Sequence, residues 1–344
     1  MTDTPAFNEV FAELATAGEI SAATVERVFG AILTGAWSPA QIAGLVVAMR
    51  LQGETAPQIA AAARAMRAAM VPVEHGLPRA LDTCGTGGDA QGTVNLSTGA
   101  AIIAAACGIP VAKHGNRAVS SRSGSADVLQ ALGIPTDVPP TRAARVLEDA
   151  GIAFLMAPAH HPAMRYAAPV RQELRIRTVF NILGPLANPA RATHQLLGAF
   201  DDALRPVLAE TLRELGVERA WVVRGADGLD EISPYGPTLV SELAGGSIRE
   251  LTLSPTDFGI ETSPAGAARG GDAEANARIL LEVLDGADHP ARSAFLLNAA
   301  AAIAVADGDS LPDAARRADE ALRSGAARAR LDTWRSAAIA AREV

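Results

Sequence analysis

From Ala80 onward the sequence alternates short apolar runs with helical patterns, and this alternation constrains the fold more than any other feature. The runs of strand length are Ala80–Cys84, Ile109–Lys113, Ile152–Met156, Gln195–Phe200 and Ala220–Arg224. Helical patterns lie between most of them, notably at Ser125–Leu132, Thr141–Ala150 and Leu204–Leu215. Strands that alternate with helices are typical of a largely parallel sheet covered by helices. We therefore predict an α/β fold with a mostly parallel sheet flanked by helices.

About the first 70 residues lack strand-like runs and predict a smaller all-helical domain. Two segments fit a capping box, Ser38-Pro39-Ala40-Gln41 and Thr55-Ala56-Pro57-Gln58, and apolar residues at helical spacing follow each of them. Residues 162–189 interrupt the alternation and are rich in proline and arginine. After Gly271 the pattern is again helical, at Ala275–Leu284 and Ala291–Val305.

Composition excludes several classes of function. The chain has 344 residues, 49% of them hydrophobic, and a formal net charge of −8 without a basic segment, which opposes nucleic acid as a partner. Its most apolar stretches, Gly99–Ala112 and Phe295–Ala306, are shorter than the roughly 20 residues of a membrane span and are interpreted as buried helices. Cys84 and Cys107 match no metal or redox spacing, and no secretory signal is visible. We expect a soluble, cytoplasmic protein.

A glycine-rich loop follows the first predicted strand, in the segment Asp82–Asp89 (DTCGTGGD). Glycine allows backbone N–H groups to approach an anion closely, and the helix that follows would present further N–H groups to a phosphate. The loop fits neither the P-loop nor the dinucleotide spacing. Asp89 suggests a sugar hydroxyl or a metal as its partner. A plain strand-to-helix turn is an equally good interpretation of the loop alone.

Two further polar clusters follow predicted strands. Lys113–Ser125 (KHGNRAVSSRSGS) offers many donors to phosphate oxygens, and Lys113 is the sole lysine among 30 basic residues. The adjacent carboxylates of Asp230 and Glu231 suggest a hard cation such as Mg²⁺, although an isolated pair of this kind is usually an acidic surface turn.

The segment around residues 162–177 adds arginines, of which Arg171 is a candidate for binding a substrate carboxylate. His114, His160 and His161 have no evident acidic or serine partner, and no residue is assigned as a catalytic acid or base.

Taken in order, these segments resemble the anthranilate phosphoribosyltransferases of tryptophan biosynthesis. The matching segments are Gly85–Asp89 (GTGGD), Asn95–Thr98 (NLST), Lys113–Ser121 (KHGNRAVSS), Ser123–Gly133 (SGSADVLQALG), His161–Met164 (HPAM), Pro169–Arg171 (PVR), Arg177–Pro189 (RTVFNILGPLANP) and Asp230-Glu231. Gln130, where the family would have Glu, and Arg175, where it would have Gly or Lys, depart from the pattern. The pyrimidine nucleoside phosphorylases share the implied fold but resemble the chain less at KHGNR and PVR.

The resemblance implies two domains and a reaction. A helical domain of residues 1–72 plus about 164–190 would support dimerisation and anthranilate binding, and an α/β domain of residues 73–163 and 191–344 would bind 5-phosphoribosyl-1-pyrophosphate (PRPP) and magnesium. The enzyme would transfer the phosphoribosyl group of PRPP to the amine of anthranilate, releasing pyrophosphate, and would be a homodimer.

Carried over residue by residue, the resemblance assigns PRPP contacts to Gly85, Gly88, Asp89, Thr93, Asn95, Ser97, Thr98, Lys113 and Ser125. It assigns Mg²⁺ to Ser97, Asp230 and Glu231, and anthranilate to Gly85, Asn116 and Arg171. An aromatic amine is already neutral at pH 7, so the implied catalysis consists of stabilising the leaving pyrophosphate and aligning the amine.

Two alternatives stay open at this point. A pyrimidine nucleoside phosphorylase-like enzyme would use inorganic phosphate and would need no paired metal ligands. A non-catalytic paralogue that binds nucleic acid would need a basic surface, which the net charge of −8 opposes.

Overall fold

The strands predicted after Ala80 form one sheet in the computed structural model of the chain, which describes residues 4–89, 91–118 and 122–343. Over these residues the sheet has seven strands in the order β3-β2-β1-β4-β5-β6-β7. Their bounds are β1 Leu81–Asp82, β2 Val111–Gly115, β3 Ile152–Met156, β4 His194–Gly198, β5 Arg219–Gly225, β6 Thr238–Ala244 and β7 Ser247–Leu253. The first five pair in parallel, which confirms the predicted α/β class.

The last two strands form an antiparallel hairpin that the sequence did not predict. β6 pairs with β5, and β7 pairs with β6 at the edge of the sheet. In β7 exposed positions outnumber the half-buried ones, so its apolar residues form no continuous run that would identify a strand. The connecting glycines, Gly245 and Gly246, both have positive φ, which suits a tight hairpin turn.

Helices cover both faces of the sheet and also form the predicted N-terminal bundle. The bundle comprises α1 Phe7–Ala17, α2 Ala22–Leu33, α3 Pro39–Gln52 and α4 Ala56–Ala68. The others are α5 Leu96–Ala106, α6 Ser125–Ala131, α7 Pro140–Ala150, α8 Ala157–His160, α9 Ala168–Leu174, α10 Leu183–Leu186, α11 Leu204–Glu214, α12 Ala273–Leu284, α13 Arg292–Asp307, α14 Leu311–Arg323 and α15 Ala326–Glu343. Short 3₁₀ turns occur at Pro162–Tyr166, Val179–Asn181 and Pro255–Phe258.

The predicted capping residues begin their helices as expected. The Ser38 hydroxyl accepts from the Gln41 backbone N–H at 3.4 Å, and the Gln41 side chain accepts from the Ser38 N–H at 2.9 Å. Before α4 the Gln58 side chain accepts from the Thr55 N–H at 3.0 Å. Both caps satisfy N–H groups that have no partner within the helix.

Two buried hydrophobic clusters lie on opposite faces of the sheet. On β4 and β5, Leu196 and Val223 belong to the cluster under α5 and α13, whereas Leu197 and Val222 belong to the cluster that contains α2, α4 and α11. Alternation of side chains along a strand produces this division. The second cluster also includes apolar residues of 167–187, while the domain boundaries given above stay a prediction.

The apolar stretches that were interpreted as buried helices are inside the protein. α13 is buried from Ala294 to Ala306, but the stretch Gly99–Ala112 is only partly helical, because α5 ends at Ala106 and β2 begins at Val111. In the described ranges no single helix is long and apolar enough to cross a membrane. α13 and α14 pass that test only as a pair bent by 118°.

Candidate active site

Parallel strands end at the same edge of the sheet, and the predicted polar clusters meet there. The glycine loop, defined here as residues 83–89, follows β1, and residues 116–125 follow β2. Asp230 and Glu231 follow β5. This edge is where α/β proteins generally bind ligands. Val119–Ser121, within the second polar cluster, lie outside the described residues.

The base of the glycine loop is held by the buried carboxylate of Asp82. Its Oδ1 accepts from the backbone N–H groups of Cys84 at 3.0 Å and His114 at 3.2 Å, and its Oδ2 accepts from Asn188 Nδ2 at 2.7 Å. Burial raises the pKa of Asp82 to about 6, although these hydrogen bonds and Lys113 favour the charged form. One side chain thus joins β1, β2 and the end of the segment 177–189.

The middle of the glycine loop lies against the end of β4. The Thr86 N–H donates to the Gly198 carbonyl at 2.8 Å, and the Phe200 N–H donates to Thr86 Oγ1 at 2.9 Å. Gly198 itself must lack a side chain, because an added Cβ would overlap the backbone carbonyl of Asp230. Backbone packing therefore sets where Asp230 lies relative to the loop.

Three carboxylates approach one another at this point. Burial, followed by the nearby Asp89 carboxylate, raises the pKa of Asp230 to about 7, while the Gly87 N–H favours its charged form. Burial and the Asp230 carboxylate raise the pKa of Glu231 well above its usual value, against the effect of Lys113 and the Ser97 N–H. Such crowding of acids favours a proton or a cation between them.

The arrangement of these carboxylates fits a bound cation. The buried Oδ2 of Asp89 has no hydrogen-bond partner among the described residues, whereas its Oδ1 accepts from the Gln91 N–H at 3.1 Å. The side chain of Asp89 lies within hydrogen-bonding reach of Asp230, and ionised carboxylates can only accept. No group of three or more His, Cys, Asp or Glu side chains forms a ready metal site within the described ranges. Mg²⁺ usually binds through one or two carboxylates together with substrate phosphates, so the arrangement fits it.

Lys113 is buried within β2 and does not extend from a loop. β2 continues to Gly115, and the Lys113 side chain, 1% exposed, donates to Thr83 Oγ1 and to Ser97 Oγ, both at 3.2 Å. The sequence prediction ended the strand at Lys113 and treated the ammonium as the first group of a loop, which is wrong. The strand places its charge between the glycine loop and the first turn of α5.

The N-terminus of α5 lies beside these groups, as predicted. Asn95 is the N-cap, and its Oδ1 accepts from Asn276 Nδ2 at 2.9 Å and from Ser123 Oγ at 3.3 Å. Thr98 is fully buried, and its Oγ1 has no hydrogen-bond partner in the part of the chain that the structure describes. Thr93 is half buried and forms an isolated β-bridge with Arg269. Asn95 therefore joins three segments of the site.

The second loop is folded around Asp127. Its Oδ2 accepts from the N–H groups of Ala118 and Gly124, both at 2.9 Å. Ser125, at the start of α6, donates its hydroxyl to the Asn116 carbonyl at 3.3 Å. The Asn116 side chain is exposed at the mouth of this loop. Gln130, the first departure from the family pattern, accepts from Arg117 at 2.9 Å.

Arg171 lies on α9, and its guanidinium has no hydrogen bond or ion pair with the residues that the structure describes. α9 ends at Leu174, and its C-cap Arg175 adopts a left-handed conformation with φ 50°. This geometry explains the glycine of the 'Gly or Lys' expected there, since glycine adopts it without steric cost. The guanidinium of Arg171 is available to an anionic ligand.

The histidines near this site are poor bases. Burial lowers the pKa of His114 to about 3 and that of His161 to about 4, and their ring centroids lie 5.1 Å apart. His114 Nδ1 donates to the Gly184 carbonyl at 2.9 Å, while its Nε2 has no partner among the described residues. Both rings are therefore neutral at pH 7.

Sequence reasoning missed several residues that shape the site, namely Asp82, Asn188, Gly198, Phe200 and Arg177 as a loop contact. Asp82 and Asn188 both stand inside quoted motifs, so their polarity within apolar surroundings could have identified them. Nothing in the sequence signals that residues 106 positions apart share a hydrogen bond.

The chain is assembled from the two domains of a glycosyl transferase family. Residues 77–328 match the family's a/b domain, and residues 8–70 match its helical bundle domain.

Similar proteins show to which branch of this glycosyl transferase family the chain belongs. The anthranilate phosphoribosyltransferase of Rubrobacter xylanophilus is 50% identical over 93% of this chain and 94% of its own length. That of Thermomicrobium roseum is 52% identical over 92% and 93%. The crystal structure of the Thermus thermophilus enzyme superposes with a TM-score of 0.90 at 42% identity, covering 96% of this chain and 99% of that one. A Saccharomyces cerevisiae anthranilate phosphoribosyltransferase in complex with PRPP and Mg superposes with a TM-score of 0.88 at 29% identity, covering 97% and 98%. The chain belongs to the anthranilate phosphoribosyltransferase family.

Proposed function

We propose that the chain transfers the phosphoribosyl group of PRPP to the amine of anthranilate at the edge of the sheet described above. The observation that carries the proposal is the meeting of the glycine loop, the α5 N-terminus, Lys113 and the pair Asp230-Glu231 at one place. These are the elements that a phosphorylated, metal-bound donor requires.

PRPP would bind along the glycine loop and the first turn of α5. The residues assigned to it are Gly85, Gly88, Asp89, Thr93, Asn95, Ser97, Thr98, Lys113 and Ser125. Backbone N–H groups and the buried ammonium of Lys113 supply positive potential for the phosphates. The net charge of −8 means that this potential is local.

Magnesium would be held by Asp230 and Glu231 with the hydroxyl of Ser97. The unpartnered Oδ2 of Asp89 and the raised pKa of Asp230 support a cation at this place. When bound, the ion would neutralise charge on the leaving pyrophosphate.

Anthranilate would bind beside the donor, against Gly85, Asn116 and Arg171. The unpaired guanidinium of Arg171 suits a carboxylate, because its planar fork can donate two parallel hydrogen bonds. Asn116 can donate from its exposed amide.

The amine needs no deprotonation before it attacks, and the proton that its nitrogen loses once the C–N bond has formed passes to water or to the departing pyrophosphate. The aromatic amine is neutral, and His114 and His161 are held neutral by burial. The residues named here align the amine with C1 of the ribose and stabilise the charge that develops on the departing group.

The test is turnover by the purified protein. With PRPP, anthranilate and excess MgCl₂, anthranilate fluorescence should fall while pyrophosphate appears in equal amount. The Arg171→Ala variant should raise the KM for anthranilate at least tenfold, whereas Arg142→Ala, on the exposed face of α7, should leave it unchanged. Absence of turnover by the wild-type protein under these conditions would refute the assignment.

We also propose a homodimer, located in the cytoplasm. Light scattering of the purified protein tests whether it is a dimer, since a mass near 35.3 kDa would indicate a monomer.

A further inference from the structure

Arg177 contacts the glycine loop from outside the sheet. It precedes the 3₁₀ turn Val179–Asn181, in the segment between α9 and β4, and its Nη2 donates to the Gly88 carbonyl at 2.6 Å. The Gly88 carbonyl belongs to the outer part of the loop, one residue before Asp89. None of the site assignments above uses this arginine.

The guanidinium of Arg177 is itself supported by Phe200, which follows β4. It stacks over the ring of Phe200, with the guanidinium carbon 3.8 Å from the ring centroid. Phe200 in turn donates its N–H to Thr86 Oγ1. The contacts therefore form a ring that includes the loop: Arg177 contacts Phe200 and Gly88, and Phe200 contacts Thr86.

Gly88 is shaped to receive Arg177. Its φ of +83° favours glycine, and an added Cβ would overlap Nη2 of the arginine. Arg177 has no ion pair with any carboxylate in the described ranges, so its hydrogen-bonding capacity is directed at a backbone carbonyl. An arginine used only for solubility would not be stacked and bonded in this way.

Arg177 lies between the glycine loop, proposed to bind PRPP, and α9, which carries the proposed anthranilate ligand Arg171. The segment 177–188 contacts the glycine loop through Arg177 at Gly88 and the end of β1, just before the loop, through Asn188 at Asp82. The helix α9, which carries Arg171, ends three residues before Arg177.

We propose that Arg177 is a positioning residue for the donor substrate. The Gly88 carbonyl and the Asp89 N–H belong to one peptide plane, so by fixing this carbonyl Arg177 holds the backbone that presents the Asp89 carboxylate. The inference rests on the proposed function, since it assigns the glycine loop to PRPP. Without Arg177 the loop would sample other conformations, and PRPP would bind with the ordering cost added.

Steady-state kinetics of Arg177→Ala and Arg175→Ala test the proposal. Both remove an arginine from the same segment, but the Arg175 side chain is exposed. Arg177→Ala should raise the KM for PRPP about tenfold or more and change the KM for anthranilate less than twofold. Arg175→Ala should change neither.

Two further variants distinguish positioning from bulk structure. Arg177→Lys keeps the charge but cannot both stack and donate in a planar fork, so it should recover only part of the PRPP affinity. Phe200→Leu removes the stacking surface and should shift the KM for PRPP in the same direction.

Calorimetric titration of wild type and Arg177→Ala with PRPP and Mg²⁺ measures the affinity for PRPP without depending on turnover. Unchanged PRPP affinity in Arg177→Ala, equal changes in both KM values, or loss of folding in both alanine variants would each overturn the proposal. If the wild type binds PRPP but does not turn over, the proposed function fails while the role of Arg177 is still decided by the binding data.

Discussion

Replacing Asn188 with alanine is expected to destabilise the protein strongly, because this amide makes three hydrogen bonds in the interior. Its Nδ2 donates to Asp82 Oδ2 at 2.7 Å and to the Ala112 carbonyl at 2.8 Å, and its Oδ1 accepts from the Ala190 N–H at 2.8 Å. Asn188 is 3% exposed and Asp82 is fully buried, so water does not replace these partners readily.

The magnitude follows from the kinds of bond that are lost. Each of the two neutral hydrogen bonds contributes about 1 kcal/mol, and the bond to the Asp82 carboxylate contributes about 2 kcal/mol. The free energy of unfolding should therefore fall by about 4 kcal/mol in Asn188→Ala. Asn188→Asp keeps the shape but brings a second carboxylate against Asp82, so it should lose at least as much at pH 7.

Urea unfolding followed by circular dichroism measures both changes. Asn8→Ala, on the exposed surface of α1, is the matched control and should stay within about 0.5 kcal/mol of the wild type. A loss below about 1 kcal/mol in Asn188→Ala would show that the three-way junction at Asp82 does not depend on this amide.

Three other substitutions and one pH series extend these expectations. Gly99→Ala should lower the free energy of unfolding by about 1–3 kcal/mol, because its Cβ would overlap the Phe295 ring; a stabilised variant would contradict the packing of α5 on α13. Lys113→Arg should lower kcat/KM for PRPP at least tenfold at unchanged circular dichroism, and wild-type kinetics would remove the special role of this lysine. Arg175→Gly should raise the free energy of unfolding by about 1 kcal/mol in urea titrations by relieving the left-handed conformation, and a decrease would count against that strain. The pKa of Asp82 is about 6 in the folded protein and near 3.8 in the unfolded chain. As the pH rises from about 4 to 6, the free energy of unfolding of the wild type should therefore fall, relative to that of Asp82→Asn, by about 1.4 kcal/mol per pH unit. A constant difference between the two proteins across that window would contradict the raised pKa.

Patterns of local origin predicted the fold well. The strand at Ile152–Met156 has the predicted bounds, and α12 and α13 begin and end within two residues of the helices predicted there, because burial imposes a regular spacing. The hairpin of β6 and β7 was missed because β7 lies at the edge of the sheet with most of its side chains exposed or half exposed. Parallel strands have no local pairing signal, so the order of the sheet also lay beyond local patterns.

The candidate site was predicted by its motifs but not by its contacts. That the clusters at Asp89, Lys113 and Asp230 meet follows from the parallel sheet. The burial of Lys113 was not foreseen, because a lysine is normally exposed and the strand extends two residues past it. The ties from Arg177 and Asn188 join segments that are distant in the chain, and such contacts depend on tertiary packing alone.

The backbone carbonyl of Asp230 packs against Gly198, so the position of Asp230 depends on its main chain and not on the charge of its side chain. Main-chain atoms hold Asp230 in place, so exchanging its side chain for an isosteric amide would change the local charge without removing the contact that sets its location. Loss of function in such a variant could be attributed to charge alone, whereas Lys113 and Asp82 are held by hydrogen bonds of their own side chains, so a substitution there changes charge and contacts together.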